Sequence, residues 1–529
     1  MSTSTLSTQT SHVIKTALNR PYDAINNEKL PDEAVDATEK GLVAAQEDKF
    51  ALRDVANGLQ KTVTAQDWTG PNDPENPMNW PLWQRVYHTT APGLVAFAVT
   101  FGTSVYTPGY PEVMEQFHVS STVALLGLSL FVVGLAFGPV LAAPISETRG
   151  RKVVYLVSLP LGALFTLGAG LSKSFAALAI TRFFAGFFSS PVLAVGAGTN
   201  VDIWAPIDRA VTTSLFILAA FLGPALGPAV GGFSAQHKGW RWTQWDILFL
   251  MIPIYLYCLG MKETYKKIIL QNRAKRLSIP PPAKTGPSGL AQLKFLLTVT
   301  LLRPVAMIFT EPIVFFMSLY VSFNFLVLYG FFAAFPIVFE GVYHFDTGFS
   351  GITFLGIAFG CCISFVTAVI IDRVWYHKEH KKSHDEGRAG VVAPEHRLYT
   401  AMMGSFVLPI GLFWFAWTAR ADVHWISPIL ASVVFAWGNV CIFIATALYL
   451  VDVYGPSNGA SALAANGLMR YSFGAASPLF TVQMYDRLGI AWATSLLAFL
   501  SLTMLPIPWI LFKYGSQIRK KSNYDTIKA

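Results

Sequence analysis

Apolar runs of about 20 residues recur along this chain, with short polar turns between them. A run of that length crosses the hydrocarbon layer as one helix, because ~30 Å at ~1.5 Å per residue takes ~20 residues. A helix also satisfies its own backbone N–H and C=O groups, which lipid cannot do. The runs lie near 86–109, 121–146, 153–172, 175–201, 211–235 and 243–261. Six more lie near 308–339, 347–371, 397–419, 424–451, 456–484 and 489–513. A basic stretch from Lys262 to Arg303 separates the two sets. The chain reads as an all-α membrane protein of twelve transmembrane helices in two six-helix halves.

Composition supports that reading. Of 529 residues, 53% are hydrophobic and 13% charged, where a soluble protein carries about 25% charged residues. The formal net charge of +8 raises the question of nucleic acid. The basic residues, however, sit in loops between apolar runs and form no single soluble face, so the expected partner is a lipid bilayer and no nucleic acid. Cys258, Cys361, Cys362 and Cys441 all fall inside apolar runs and mark no disulfide framework or zinc site. The chain lacks G-x-x-x-x-G-K-[ST], so no ATP site is expected, and no other cofactor.

The division expected along the chain follows. Residues 1–66 are a polar, disordered cytoplasmic tail that carries no cleaved signal peptide. Residues 67–85 hold several prolines with Trp68, Trp80 and Trp83 and form an interfacial pre-membrane segment. Residues 86–261 are the first half, 262–303 a cytoplasmic connector, 304–513 the second half and 514–529 a cytoplasmic tail.

Loop charge orients the helices. With the N-terminus in the cytoplasm, the inner loops hold Arg149, Arg151, Lys152, Arg209, the basic residues of the connector, and Arg373, Lys378, Lys381, Lys382, Arg388 and Arg397. The outer loops hold Lys173, Lys238, Arg241, Arg420 and Arg487. This asymmetry places both termini inside. It also puts the charged hairpin Glu147, Arg149, Arg151 and Lys152 at the inner face, where its charges can pair with one another and with a helix terminus. A faint repeat links the halves: Gly134-Leu-Ala-Phe-Gly138 matches Gly356-Ile-Ala-Phe-Gly360. Parallel repeats of this kind describe a rocking transporter.

Three motifs carry a family likeness. The hairpin runs Gly138…Pro144-Ile-Ser146-Glu147-Thr-Arg-Gly150-Arg151-Lys152. The fourth run holds Leu178-x-x-x-Arg182-x-x-x-Gly186. The fifth holds Gly223-Pro-Ala-Leu-Gly227-Pro228-Ala-Val-Gly231-Gly232. Together they resemble the major facilitator superfamily, and within it the fungal twelve-span drug:proton antiporters, closest to the polyamine/proton antiporter branch. Further pieces that look alike are Asp73-Pro-Glu-Asn-Pro, Gly239-Trp-Arg-Trp-Thr-Gln-Trp, Glu263-Thr-Tyr and Arg273-Ala-Lys-Arg. The hairpin departs from the general pattern with Glu147 for Asp, and the fourth run with Ala185 for Gln. The fifth-run motif matches the antiporter signature in full.

The resemblance implies proton-driven export of a small toxic organic compound, a fungal secondary metabolite or drug, across the plasma membrane. The alternatives are a polyamine/proton antiporter and a proton-coupled nutrient importer. Gating or coupling falls to Glu147, Arg149, Arg151, Lys152, Arg182 and Glu311, and the bend controlling exchange to Gly223, Gly227, Pro228, Gly231 and Gly232. An intramembrane charge such as Arg182 faces a cavity or a partner, its rival being a snorkel to the interface. The runs show no carboxylate clearly near mid-depth, so Tyr106, Asn324, Tyr329, Phe332, Trp437, Asn439, Asn466 and Arg470 are the expected substrate contacts, suited to an amphipathic, partly aromatic molecule. His377, His380 and His384 have metal-like spacing but lie among lysines, and read as a solvated loop rather than a metal site. A monomer is expected, and the transported partners are the organic substrate and protons.

Overall fold

The computed structural model describes residues 66–205, 207–280, 298, 302–387 and 392–526. Nearly all of the expected N-terminal tail lies outside them. Residues 66–71 belong to a separate N-terminal unit, where they form bends and turns. From Asn72 onward the described chain is helical.

Among the described residues, ten stretches are long and apolar enough to cross a membrane. They are Ser121–Pro139, Arg151–Gly170, Phe175–Ile203, Arg209–Lys238, Trp242–Leu259, Pro312–Phe339, Thr347–Asp385, Pro394–Thr418, Ile426–Gly455 and Asn458–Arg519. The helix before them, Leu82–Ser104, has 23 residues and is more polar, carrying Gln84, Arg85 and His88.

Glycines make the sharpest reversals. Gly150, Gly239, Gly455 and Gly489 have φ of 101°, 86°, 60° and 74° and stand between consecutive helices. A residue without Cβ enters this region freely. The helical stretch Ile426–Met504 would run ~120 Å if straight, four times a bilayer core. Non-helical backbone at Gly455 and Gly489 divides it into 426–454, 456–488 and 490–504.

Two expected runs carry an interruption. Run 175–201 is one stretch, Phe175–Ile203, whose hydrogen-bond ladder lapses at Ser190 ahead of Pro191 while the backbone there stays helical (φ −70°, ψ −20°). Run 308–339 is interrupted at Glu311, whose backbone is extended (φ −112°, ψ 105°) because Pro312 follows it. The short helix Arg303–Thr310 precedes that break and Pro312–Phe339 follows it.

The internal repeat has a packing counterpart. A methyl at Gly134 would stand 2.6 Å from the Phe187 nitrogen, and one at Gly138 would overlap Ser190. A methyl at Gly356 would stand 2.9 Å from the Ile429 carbonyl, and one at Gly360 3.1 Å from the Trp437 nitrogen. Each G-x-x-x-G face thus lies backbone to backbone on the helix that comes two later, the close approach small residues permit in membranes.

The segment after Asn72 is tied to the connector. Prolines hold it to a short 3-10 turn, Pro77–Asn79, capped by the Asn76 side chain. Trp80 is buried against His88 (ring centroids 4.8 Å), while Trp83 is exposed. Arg273 of the connector helix Lys266–Leu277 donates to both oxygens of Asp73 at 2.8 Å and, through Nε, to Glu75 at 2.6 Å. Arg276 also pairs with Glu75. Burial works to raise the Glu75 carboxyl, yet Arg276 and Arg273 outweigh it and hold the group below its ordinary pKa. Its share of the clamp is therefore intact above the ordinary carboxylate range and fades as pH falls through the lowered value. Arg273→Ala should free the connector helix: trypsin is expected to cut after Lys275 and Arg276 about tenfold faster than in the native protein, reflecting loss of a buried pair. An unchanged cleavage rate would mean the clamp holds nothing.

Candidate functional site

The loops alternate between two ends of the helices. One end carries the turns at Gly150 and 262–265, the described connecting residues 372–387 and 392–398, and the turn at Gly455, and is called the basic end below.

At the basic end Arg151 opens the Arg151–Gly170 helix and so faces inward. Its Nε donates to Asp202 at 3.2 Å and its Nη1 to Ser146 at 2.8 Å, and the guanidinium lies 4.8 Å from the Tyr265 ring centre. Thr264 donates to the same Asp202 oxygen. Glu263 accepts from the backbone N–H of Arg151 (2.9 Å) and of Lys152 (3.1 Å), a carboxylate seated on a helix N-terminus. The Tyr265 hydroxyl is pushed up by burial and by the Glu147 charge. The contacts expected of Glu147 thus belong to Asp202 and Glu263. Glu147 and Arg149 are exposed on the last turn of Ser121–Arg149 and, among the described residues, make no ion pair.

The second half of the sequence repeats this arrangement. Arg397 donates to Asp452 at 2.7 Å and to Asp372 at 3.0 Å, with the Tyr376 ring centre 3.6 Å away. The partners stand 51 residues apart in Arg151–Asp202 and 55 in Arg397–Asp452. The two spacings differ by four residues, and the sequence alone did not mark Asp202 or Arg397 as partners. His377 donates to the Asp372 carbonyl at 3.0 Å and meets Arg373. Among the described residues no group of His, Cys, Asp or Glu gathers as for a metal ion.

Glu311 lies buried at its helix break and accepts from Tyr454 Oη (2.9 Å), Ser522 Oγ (2.8 Å) and the Asn523 N–H (3.0 Å). Arg519 holds both oxygens of Glu395 at 3.0 and 2.9 Å. The segment expected as a tail from residue 514 therefore continues as helix to Arg519 and then folds onto Glu311.

Arg182 does not snorkel: it is 0% exposed. It donates to the carbonyls of Gly127 (3.0 Å) and Gly102 (2.9 Å) and to Gln244 (3.4 Å), beneath Phe131 and Tyr106. Tyr106 in turn donates to the Ala124 carbonyl at 2.8 Å. One guanidinium thus joins four stretches of the early chain, all through uncharged partners.

The Gly/Pro helix, Arg209–Lys238, touches backbone on two sides. Toward Leu82–Ser104 and the residue after it, a methyl at Gly223 would stand 2.6 Å from the Phe101 nitrogen, one at Gly227 2.8 Å from the Val105 nitrogen, and one at Gly231 would overlap the Val105 carbonyl. On the other side, a methyl at Gly232 would stand 2.6 Å from the Thr347 carbonyl, and Gly351 lies against the Pro228 carbonyl. Three side-chain hydrogen bonds reinforce this far end between early and late parts of the chain: Gln236 with Asp346 and with the Gly348 N–H, and Gln483 with Thr122.

Between these parts lies a cavity of about 60 Å³. Thr100, Phe216, Phe221, Phe325, Tyr329, Phe443, Arg470 and Tyr471 are among its walls. Pockets for organic ligands run to ~300–1,000 Å³, so the cavity is narrow in this conformation. Phe221 meets Phe325 and Phe443 edge-on at 5.6 and 5.1 Å.

Of the expected substrate contacts, Tyr329 and Arg470 line the cavity, and Asn466 accepts from Arg470 at 3.2 Å. Asn466 and the other five do not themselves line it. Tyr106 is engaged beneath Arg182. Phe332 stacks on Phe354, and Trp437 donates to Thr367 at 3.1 Å. Asn324 is buried with neither amide atom paired among the described residues, as is the Asn439 Oδ1. The lining rings Phe216, Phe221, Phe443 and Tyr471 had no sequence mark of their own.

Membrane-crossing helices that meet around a central cavity make a multi-pass membrane transporter. The chain belongs to the Major Facilitator Superfamily, whose sequence profile matches residues 93–478. It is 41% identical over 481 residues to Polyamine transporter 4 of Saccharomyces cerevisiae, covering 87% of this chain and 73% of that one. It is 39% identical over 464 residues to efflux pump FUBT of Fusarium oxysporum, covering 86% and 76%. Its fold resembles the crystal structure of the human organic anion transporter MFSD10 with a TM-score of 0.53 at 16% identity, over 82% of this chain and 100% of that one.

Proposed function

We propose that this protein is a proton-driven efflux pump that exports a small organic compound, a fungal secondary metabolite or drug, across the plasma membrane by alternating access. In this reading twelve helices span the membrane. Leu82–Ser104 is the first, and the bend at Gly489 divides the last long stretch into two. They work as two six-helix halves of one monomer, with both termini and the basic end in the cytoplasm.

The observation that carries the proposal is the Gly/Pro helix set by its glycines against early and late parts of the chain at once. A helix in backbone contact on two sides transmits motion between them, because packed contacts have discrete arrangements. Arg151–Asp202 and Arg397–Asp452 close each half on itself at the basic end, leaving that end free to part while the far end is pinned. In the alternate state the far-end contacts release.

The test is export from vesicles loaded with a panel of fungal metabolites and drugs, with and without an imposed pH gradient. Release that requires the gradient is expected. Release that occurs only when the gradient is absent would rule out proton-driven export. A polyamine/proton antiporter is the second reading, favoured by the 41% identity to a polyamine transporter. Nutrient import fits less well, since the complete antiporter motif accompanies export in the family it resembles.

A further inference from the structure

The cavity holds one formal charge. Arg470 reaches it from 456–488, and its guanidinium lies 4.6 Å from the Tyr471 ring centre, 4.9 Å from Phe443 and 5.3 Å from Phe325. Its Nη1 donates to Asn466 and its Nη2 to Tyr471 Oη, each at 3.2 Å. Its Nε is buried and, among the described residues, has no partner. Among the described residues, no carboxylate lines the cavity. The acids Asp202, Asp372, Asp452 and Glu395 are each already paired with an arginine at the basic end.

Arg470 is half-buried, and a cation partly withdrawn from water without a counter-ion is disfavoured. Three ring faces offset part of that through cation–π attraction. The remainder calls for an anion, and the guanidinium fork matches a planar carboxylate. The same rings offer stacking and edge contacts to a flat apolar body. A polyamine would bring further positive charge to a site that already holds one.

We propose that the cargo is an aromatic carboxylic acid taken as its anion, with Arg470 as the counter-charge and Phe325, Phe443 and Tyr471 receiving the ring. This rests on the export reading for its direction, not for its charge.

The test is equilibrium binding to the full-length protein in lipid nanodiscs at pH 7.5, where a carboxylic acid is ionised. The probes are 2-naphthoate, the neutral 2-naphthamide of nearly the same shape, and spermidine. A charged hydrogen bond predicts that naphthoate binds at least about tenfold more tightly than naphthamide. Arg470→Gln should bring the two within about threefold, and Arg470→Lys should keep only part of the preference, because a charge remains but the planar fork is lost. Three results overturn the proposal: no naphthoate binding, naphthamide or spermidine binding as tightly as naphthoate to the native protein, or a full preference retained in Arg470→Gln. The comparison on the native protein decides the matter even if a variant misfolds. Naphthoate preference without gradient-driven release from loaded vesicles would support the charge assignment and sink the export reading alone.

Discussion

Arg397→Ala should destabilise the protein by about 3–5 kcal/mol, the loss expected when a buried ion pair is left with one partner. Arg397 is 8% exposed and stands between two carboxylates. Removing it leaves Asp372 with His377 at 3.4 Å and Asp452 without its guanidinium contact. Asp372 is itself buried, so water cannot take over. Membrane proteins often unfold irreversibly, so the proper measurement is the half-life of the detergent-solubilised protein at fixed elevated temperature. It should fall at least about a hundredfold. Neutralising the acids as well, in Asp372→Leu/Asp452→Leu/Arg397→Met, should recover most of the loss, since an apolar replacement of a whole buried cluster is often neutral. A single variant as durable as the native protein would show that the cluster does not hold these helices together.

What could be read in the sequence divides along physical lines. The helical runs, the turn at Gly150 and the G-x-x-x-G repeat were legible because each rests on local chemistry: length in lipid, a missing Cβ, a spacing of four. The location of the ion pairs was not. Glu147 and Arg151 stand four positions apart in one hairpin, but Gly150 ends a helix between them. Arg151 begins the next helix and turns toward Asp202, while Glu147 stays outside on the turn before. Asp202 itself comes one residue past an apolar run and looked like an ordinary helix end. The cavity rings were hidden for another reason. Lipid and interior are equally apolar, so Phe221 facing Phe443 and Phe249 facing outward (63% exposed) present the same sequence. Arg470 was legible because a charge in an apolar run has few places to go.

Gly231→Ala and Gly232→Ala, adjacent and chemically identical, should fail in different ways. The Gly231 methyl would overlap the Val105 carbonyl, a contact within the early part of the chain. Overpacking of this kind costs about 1–3 kcal/mol, so Gly231→Ala should shorten the thermal half-life. The Gly232 methyl would stand 2.6 Å from the Thr347 carbonyl, and Thr347 belongs to the late part. That contact need hold only while the far end is shut. Gly232→Ala should therefore leave the half-life near native and disfavour the closed far end, by about tenfold in population for each ~1.4 kcal/mol of clash. Its signature is a transporter that binds cargo, releases the pH gradient passively and exports at a tenth of the native rate or less. Measured side by side, half-life and gradient-coupled export separate the two faces of one helix. If both variants lose stability equally and Gly232→Ala stays coupled, the late-side contact is mere packing. The Gly/Pro helix would then be no hinge between moving parts.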